Sequence, residues 1–436
     1  MSSVSIEAPP PSLGQWRAPL ALRPFFIAVA LFPFVWITGL EFIWYPTLAV
    51  VLAWRNRRAF HHIGAFDLLF FALMATLLLS LALAPAIATG SLDRVLGAAN
   101  NLALIATFYF CAKSARYFLN SGSLNDDATT LFLMRALRRN MLAFLIVSAA
   151  LYCIWFVSGG SDVSMPTLLG LLPKLPGILS EYQQAVLVES DYLLGIKLPR
   201  SSLFAPFATT AAFLLAMMAG IYLLLSGIRV QPDFRRSSGL VPLNVAAVSM
   251  TLSRASMLAV IAAWLLAAFT SRLKMAGLLC ILAVVGLISF NLASSFELLA
   301  DARPGSSSTR ISMYEDSVEL VLEQSPIYGI GVKPRTNERN IPIGSHSSPI
   351  SFLVRGGLLG MTFGVLLYLA PIIRSVMRIF LSFALGAHRF KRPTLYGASY
   401  SLAFLAFFLV QDIDAYASAA FFGGVFVGLL NGVARS

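Results

Sequence analysis

The feature that most restricts this chain is a succession of long apolar runs separated by short polar breaks. They fall at about 24–39, 41–54, 65–84, 94–112, 139–158, 203–226, 241–253, 255–270, 277–296, 350–371, 395–411 and 415–433. Several approach the roughly 20 residues that a helix needs to cross a hydrocarbon layer ~30 Å thick. A water-soluble fold would have to hide all of them. With 58% hydrophobic and 12% charged residues, against roughly a quarter charged in soluble chains, it would lack the polar surface to do so. The expected fold is therefore all-α: a polytopic membrane protein of about twelve transmembrane helices. Residues 23–436 form a single membrane domain, and 1–22 a disordered cytoplasmic tail. The first run lacks a small-residue cleavage site and precedes many more, so it is expected to be a retained helix. The first two runs, and the two around Arg254, are short enough to be tilted, broken or shielded by neighbours.

The net charge of +12 could suggest nucleic acid, but its distribution follows the positive-inside rule. Arg55, Arg57, Arg58, Lys113, Arg135, Arg138, Arg139, Arg272, Lys274, Arg374 and Arg378 fall on one side if the N-terminus is inside, and most acids fall on the other. Both termini are expected in the cytoplasm, with long outer segments at 159–200 and 297–349. Residues 123–139 look like a separate interfacial helix, acidic in its first turn and basic in its last. Cys111, Cys153 and Cys280 lie in apolar runs without metal-ligand or CxxC spacing and read as small core residues. No internal repeat is visible.

The outer segment 297–349 carries the chemistry. "RPGSSSTRISMYEDSVELVLEQSPIYGIG" predicts a helix capped by its serines or Thr309, with Ile311, Tyr314, Val318 and Val321 on one stripe. Pro326 and the Gly329/Gly331 pair should stop it. A helical segment thus precedes the tenth span. A basic cluster (Lys333, Arg335, Arg339) and His346 follow, on the side where basic residues are disfavoured. His346, in "IPIGSHSSPISF", is either an exposed loop residue or a ligand-facing one with room around it. Nearby arginines would favour the neutral imidazole that a general base needs. His61, His62 and His388 accompany arginines and read as surface residues.

Arg254 interrupts an apolar stretch and Arg200 stands at the mouth of the sixth span. Each either snorkels to headgroups or has a function, since a charge in the apolar layer costs ~2.5–3.5 kcal/mol on insertion scales. With Arg310 and Arg355 they make a set of outer guanidiniums suited to bidentate contact with phosphate oxygens. "QDIDAY" places Asp412 and Asp414 at an outer turn. A D-x-D pair can hold a metal, but carboxylates at such turns usually face water, and no metal or other cofactor is expected.

Two stretches, "RISMYEDSVELVLEQSPIYGIG…GSHSSPISFLVRGGLLG" and "LSRASMLAVIAAWLL", resemble the signature region of the O-antigen ligase and polymerase superfamily. The resemblance covers roughly 200–370. It implies an integral-membrane glycosyltransferase of the GT-C type in a bacterial inner membrane. Such an enzyme would take a glycan from undecaprenyl diphosphate at the periplasmic face, without nucleotide sugar or metal and with inversion. It implies His346 as the base for the acceptor hydroxyl and Arg254 and Arg310 as ligands of the diphosphate. Arg200 is a looser match, and Arg355, Lys333, Arg335 and Tyr314 are further substrate-binding candidates. Ser347 and Ser348 stand where the family often has Asn. The acceptor is a growing chain, as in an exopolysaccharide or O-antigen polymerase, or a lipid core, as in a ligase; polymerase is the slightly favoured expectation. Membrane lipids and other polysaccharide-assembly proteins are the further partners.

Two rival classes stay open at this level. A transporter or lipid-linked glycan flippase could also have twelve spans, but should show internal repeats, midplane ions or broken helices. A non-catalytic assembly partner is the third.

Overall fold

The computed structural model describes residues 22–84, 92–120, 127–173, 180, 182–193, 196–228, 239–290, 304–334, 343–386 and 390–434. All of the expected tail but Leu22, which is buried in the core, lies outside them, as do Arg335, Arg339 and His388. Helices dominate: α1 (Arg23–Ala30), α2 (Phe32–Thr38), α3 (Glu41–Arg55), α4 (Ala65–Leu83), α5 (Leu92–Asn120), α6 (Asp127–Val157), α7 (Ala208–Ile228) and α8 (Leu240–Ser249). They are followed by α9 (Arg254–Phe290), α10 (Pro304–Gln324), α11 (Ser348–Ala384), α12 (Arg392–Ser399), α13 (Ser401–Val410) and α14 (Ala417–Val433). Among the described residues seven helices are long and apolar enough to cross a membrane: α4, α5, α6, α7, Arg254–Leu273 of α9, α11, and α12 with α13 taken together. The apolar α8 and α14 are shorter. The chain is an all-α polytopic membrane protein.

The core forms around α7. Its apolar residues run all the way round rather than along a stripe, and nearly all are buried, as expected for a helix enclosed by others. The closest packing is between α5 and α14, where Gly424, Gly428 and Gly432 recur every fourth residue. A Cβ at Gly428 would stand 2.2 Å from the Ala112 carbonyl oxygen. This is the small-residue spacing that lets membrane helices approach backbone to backbone. Pro33, in the first turn of α2, splits the first apolar run as its length suggested.

Segment 159–200, expected on the outer side, contributes a three-stranded antiparallel sheet, a local departure from the all-helical expectation. The strands β1 (Val163–Pro166), β2 (Gln184–Leu193) and β3 (Ile196–Ser201) lie in the order β1-β2-β3. Pro199 pairs with Ser190 on the edge strand β3, where a missing N–H leaves no gap in a ladder. Trp155 Nε1 donates to Ser190 Oγ at 3.1 Å, and Ser148 and Ser201 join their hydroxyls at 2.8 Å, so the sheet sits on the end of α6. Leu168 N–H donates to the Ile37 carbonyl at 3.2 Å, bringing the turn after α2 to the same end. At the opposite end α3 finishes in Arg55, and Lys113 pairs with Asp67 and donates to the His62 carbonyl at 3.1 Å.

Three local expectations need correction. Residues 127–139 are not a separate interfacial helix but the first turns of α6, with Thr129, Thr130 and Leu133 buried in the bundle. The break expected between 270 and 277 does not form. α9 runs unbroken from Arg254 to Phe290, since "TSRLKM" contains neither proline nor glycine to stop it. At 1.5 Å per residue its length exceeds the thickness of the hydrocarbon layer. Cys153 is exposed on α6, while Cys111 is a buried core residue as expected.

α11 is broken. Gly357 has φ +61° and ψ −159° in mid-helix. The stretch 326–331, here called the strap, fits into the gap. Ile330 and Gly331 N–H groups donate to the Val354 and Arg355 carbonyls at 2.8 and 3.2 Å, and Leu358 and Leu359 N–H groups donate to the Pro326 and Ile327 carbonyls at 2.9 and 3.3 Å. Ser80 Oγ adds a 2.5 Å bond to the Arg355 carbonyl. A Cβ on Gly357 would stand 2.3 Å from the Ile327 backbone, and one on Gly329 2.4 Å from the Gly357 nitrogen. The glycines read as helix stops therefore let two backbones interlock. Irregular backbone at membrane depth is tolerated where protein satisfies it. A transporter's break would present such groups to an ion; at these positions the chain's own strap takes them.

Candidate active site at the sheet end

Two clusters of polar residues share the sheet end. The first surrounds His346. Beyond the strap the chain passes Lys333, and Ile343 N–H bonds to the Pro334 carbonyl at 2.8 Å. His346 follows with φ +66°, next to Gly344 at φ +80°. A left-handed conformation in a non-glycine residue costs ~1–3 kcal/mol and persists only where its surroundings impose it. Here Tyr314 Oη donates to the His346 carbonyl at 2.6 Å, and Asp412 Oδ1 accepts the Ser347 N–H at 2.9 Å. Ser317 Oγ accepts the Gly344 N–H at 3.0 Å. The ring is aimed by its neighbours and not left to a free loop.

The helix that supplies Tyr314 is α10. It begins at Pro304, ahead of the serines expected to cap it. Its buried face carries Met313, Ser317 and Val321, while Ile311 and Val318 are exposed. Of the stripe read from the sequence, Val321 is buried and Tyr314 half-buried, so the buried face is rotated away from Ile311 and Val318. Apolar residues alone misplace it, because Ser317 packs inward to hold Gly344.

Asp412 is the largest correction. The turn carboxylate expected to face water is 4% exposed. Its Oδ2 accepts from Lys333 Nζ at 2.5 Å. Both oxygens are thus engaged, and the Asp414 side chain lies outside the described residues. Gln411, beside it, places Oε1 3.4 Å from His346 Nδ1. Ser348 Oγ donates to the Gln411 carbonyl and accepts from the Ile413 N–H, both at 2.9 Å, fastening this turn to the start of α11. Arg355, one of the sequence candidates, is buried; Nη2 donates to Ser351 Oγ at 2.9 Å, and its guanidinium lies 5.6 Å from the Phe352 ring centre. Among the described residues no three His, Cys, Asp or Glu side chains converge as metal ligands do.

Charged groups act on the ring from several elements. Burial, then the Arg310 charge, push the His346 pKa below its ordinary value, with Lys333 in the same direction; Asp412 and Gln411 oppose them. The seat ahead of the α11 N-terminus works toward the neutral ring too. Lys333 is also pushed down, by burial and by Arg355, against the pull of Asp412.

The second cluster is built on the sheet. Arg200, on β3, pairs with Glu189 at 3.2 Å and Asp191 at 3.5 Å across the strand, and its Nε donates to the Thr251 carbonyl at 3.0 Å. Tyr152 donates to the Met250 carbonyl, and Ser201 N–H to the same oxygen at 2.9 Å. These bonds hold a tight turn in which Leu252 has φ +47°. Ser253 then precedes α9, its hydroxyl 3.0 Å from that of Ser256, and Arg254 becomes the first residue of the helix. Arg254 adds its charge to the positive end of the helix dipole. The two clusters meet where the Tyr416 ring, hydrogen-bonded to Gln411, lies 5.8 Å from that of Phe207 at the start of α7.

The structure thus brings His346, Arg310, Tyr314, Lys333 and Arg355 into one neighbourhood and places Arg200 beside the Arg254 turn. Arg335 lies outside the described residues. Sequence reasoning missed Gln411, Tyr416, Glu189 and Asp191, and it named Asp412 but placed it in water. For Gln411 and Tyr416 the signal was "QDIDAY" itself.

Fold and site define a polytopic helical membrane protein with a cationic, histidine-containing site at one end of its bundle. Residues 239–365 match the family model described as O-antigen ligase, which makes this stretch a domain of the O-antigen ligase and polymerase superfamily. The match spans α8 to the break in α11, so it includes Arg254, Arg310, Lys333, His346 and Arg355 but neither Arg200 nor Asp412. It supports a glycosyl-transferring enzyme that works with lipid-linked glycans. No curated relative matches the chain at a significant level.

Proposed function

We propose that the protein transfers a glycan from undecaprenyl diphosphate to a sugar hydroxyl, with the sheet end of the bundle facing the periplasm and both termini in the cytoplasm of a bacterial inner membrane. The observation that carries the reading is the strained, pinned His346, on which the charges of Arg310 and Lys333 act to favour the neutral ring. A sugar hydroxyl is a poor nucleophile until its proton has somewhere to go. His346 takes that proton as the hydroxyl oxygen bonds to the anomeric carbon. The bond from that carbon to the phosphate oxygen breaks, and the diphosphate leaves with the electron pair. Arg254 and Arg310 hold it, using the bidentate geometry of guanidinium with phosphate. Arg200, engaged with Glu189 and Asp191, holds the turn that presents Arg254. Attack opposite the leaving group inverts the anomeric configuration, and no step calls for a metal. The acceptor is a growing glycan in a polymerase, the reading adopted here, or a lipid core in a ligase.

The test is His346→Ala, assayed in purified form with a lipid-diphosphate glycan. A positioned base contributes about 10²–10⁴-fold, so turnover should fall at least about 100-fold while the variant still folds and binds donor. Near-normal turnover would reduce the histidine to a loop residue.

A further inference from the structure

Gln411 stands between Tyr416 and His346 with both ends of its amide engaged. Its Nε2 donates to the Tyr416 hydroxyl oxygen at 3.0 Å, and its Oε1 faces His346 Nδ1, 3.4 Å away. The residue is 3% exposed, and its backbone is fixed as well: its N–H donates to the Phe407 carbonyl at 2.8 Å and its carbonyl accepts from Ser348 Oγ at 2.9 Å. Tyr416 is braced in turn by Phe207. A carbonyl oxygen only accepts. A neutral imidazole that satisfies it must carry its proton on Nδ1, which leaves the lone pair on Nε2.

We propose that Gln411 is a positioning residue that selects the Nδ1–H tautomer of His346 and so makes Nε2 the nitrogen that receives the acceptor's proton. The inference rests on the reading of His346 as the base. Gln411 passes the orientation of its amide to the ring.

A neutral amide suits this task better than a carboxylate. Among the described residues the charged and titratable groups facing the ring are Arg310 and Tyr314 from α10, Lys333 from beyond the strap, and Asp412 from the turn after α13. A second carboxylate beside Asp412 would stabilise the imidazolium and remove the base from service near neutral pH. Glutamine fixes the tautomer without adding that charge.

The test uses the full-length chain with ¹⁵N-labelled histidine. It has four histidines, and the signal missing from His346→Gln identifies the ring. Above its pKa, His346 should show a protonated Nδ1 and an unprotonated Nε2. In Gln411→Leu the two tautomers should mix, and kcat should fall by about 10–100-fold, the usual cost of losing such an outer partner, with the KM for the lipid donor unchanged. In Gln411→Glu the acidic limb of the pH–rate profile should move to higher pH. A wild-type ring protonated on Nε2 overturns the proposal, as does a Gln411→Leu enzyme with wild-type kcat. If instead His346→Ala keeps its turnover, the catalytic reading fails while the tautomer measurement still stands.

Discussion

The two polar clusters at the sheet end put similar residues to different uses. Around Arg200 two carboxylates of the neighbouring strand meet one guanidinium, whose Nε also ties its strand to the Thr251 turn. Around His346, Asp412 meets Lys333, and the charges of Arg310 and Lys333 act on a ring whose residue sits in a strained backbone conformation. The first cluster braces the sheet against the turn before α9. In the second the neighbouring cations disfavour protonation of the ring. An arginine's part at such a site is thus set by the groups it faces and not by its position in the chain.

The contrast breaks most readily at the arginines assigned to the diphosphate. Arg254→Ala and Arg310→Ala should each lose about 1.5–3 kcal/mol of transition-state contact, or roughly ten- to a hundredfold in kcat/KM. Lysine should rescue poorly, because it lacks the fork. Wild-type rates at normal protein level would remove either residue from the site. Arg200 sharpens the comparison. Arg200→Ala should lower thermal stability and activity together, and so should the double change Glu189→Gln, Asp191→Asn. If the double variant instead binds donor more tightly at unchanged stability, Arg200 belongs to the phosphate site.

A smaller effect concerns pH. The base works when neutral, and its pKa is held below the ordinary imidazole value of 6.5 by burial and Arg310. Activity should therefore persist as pH falls through 6.5 and be lost only below it. Arg310→Ala should move the residual activity's acidic limb upward. A wild-type limb above 6.5 would contradict the cationic surroundings described for the ring. The smallest effect is expected for Tyr314→Phe, which loses one hydrogen bond to the His346 carbonyl, worth ~1 kcal/mol. Its turnover should drop only several-fold, because Asp412 still pins the next residue. A complete loss would mean that the hydroxyl touches substrate.

Apolar runs made the bundle legible, since no other arrangement hides them. His346 and Arg254 were legible because a charged or titratable residue is rare beside such runs. The sheet was not, for it is short, partly apolar and carries Pro199 within a strand; only pairing reveals that β3 is an edge. Asp412 could not be placed because its partner Lys333 lies 79 residues away and no local pattern joins them. The inward turn of α10 failed for a related reason: Ser317 is polar, yet it is buried by a bond to Gly344.

The interlocked glycines of α11 have a consequence for how the enzyme sits in its lipid. A helix slipping by one residue moves 1.5 Å along its axis and turns 100°. Such a slip would tear the strap's bonds to Val354, Arg355, Leu358 and Leu359 at once. The screw position of α11 is thereby locked to the stretch that leads to Lys333, and the imidazole's depth is set by peptide geometry. Membranes differ in thickness by a few ångströms, and unanchored helices answer by tilting or sliding. Here a tilt of α11 carries the strap with it, leaving the spacing between α11 and the stretch that leads to Lys333 as it was.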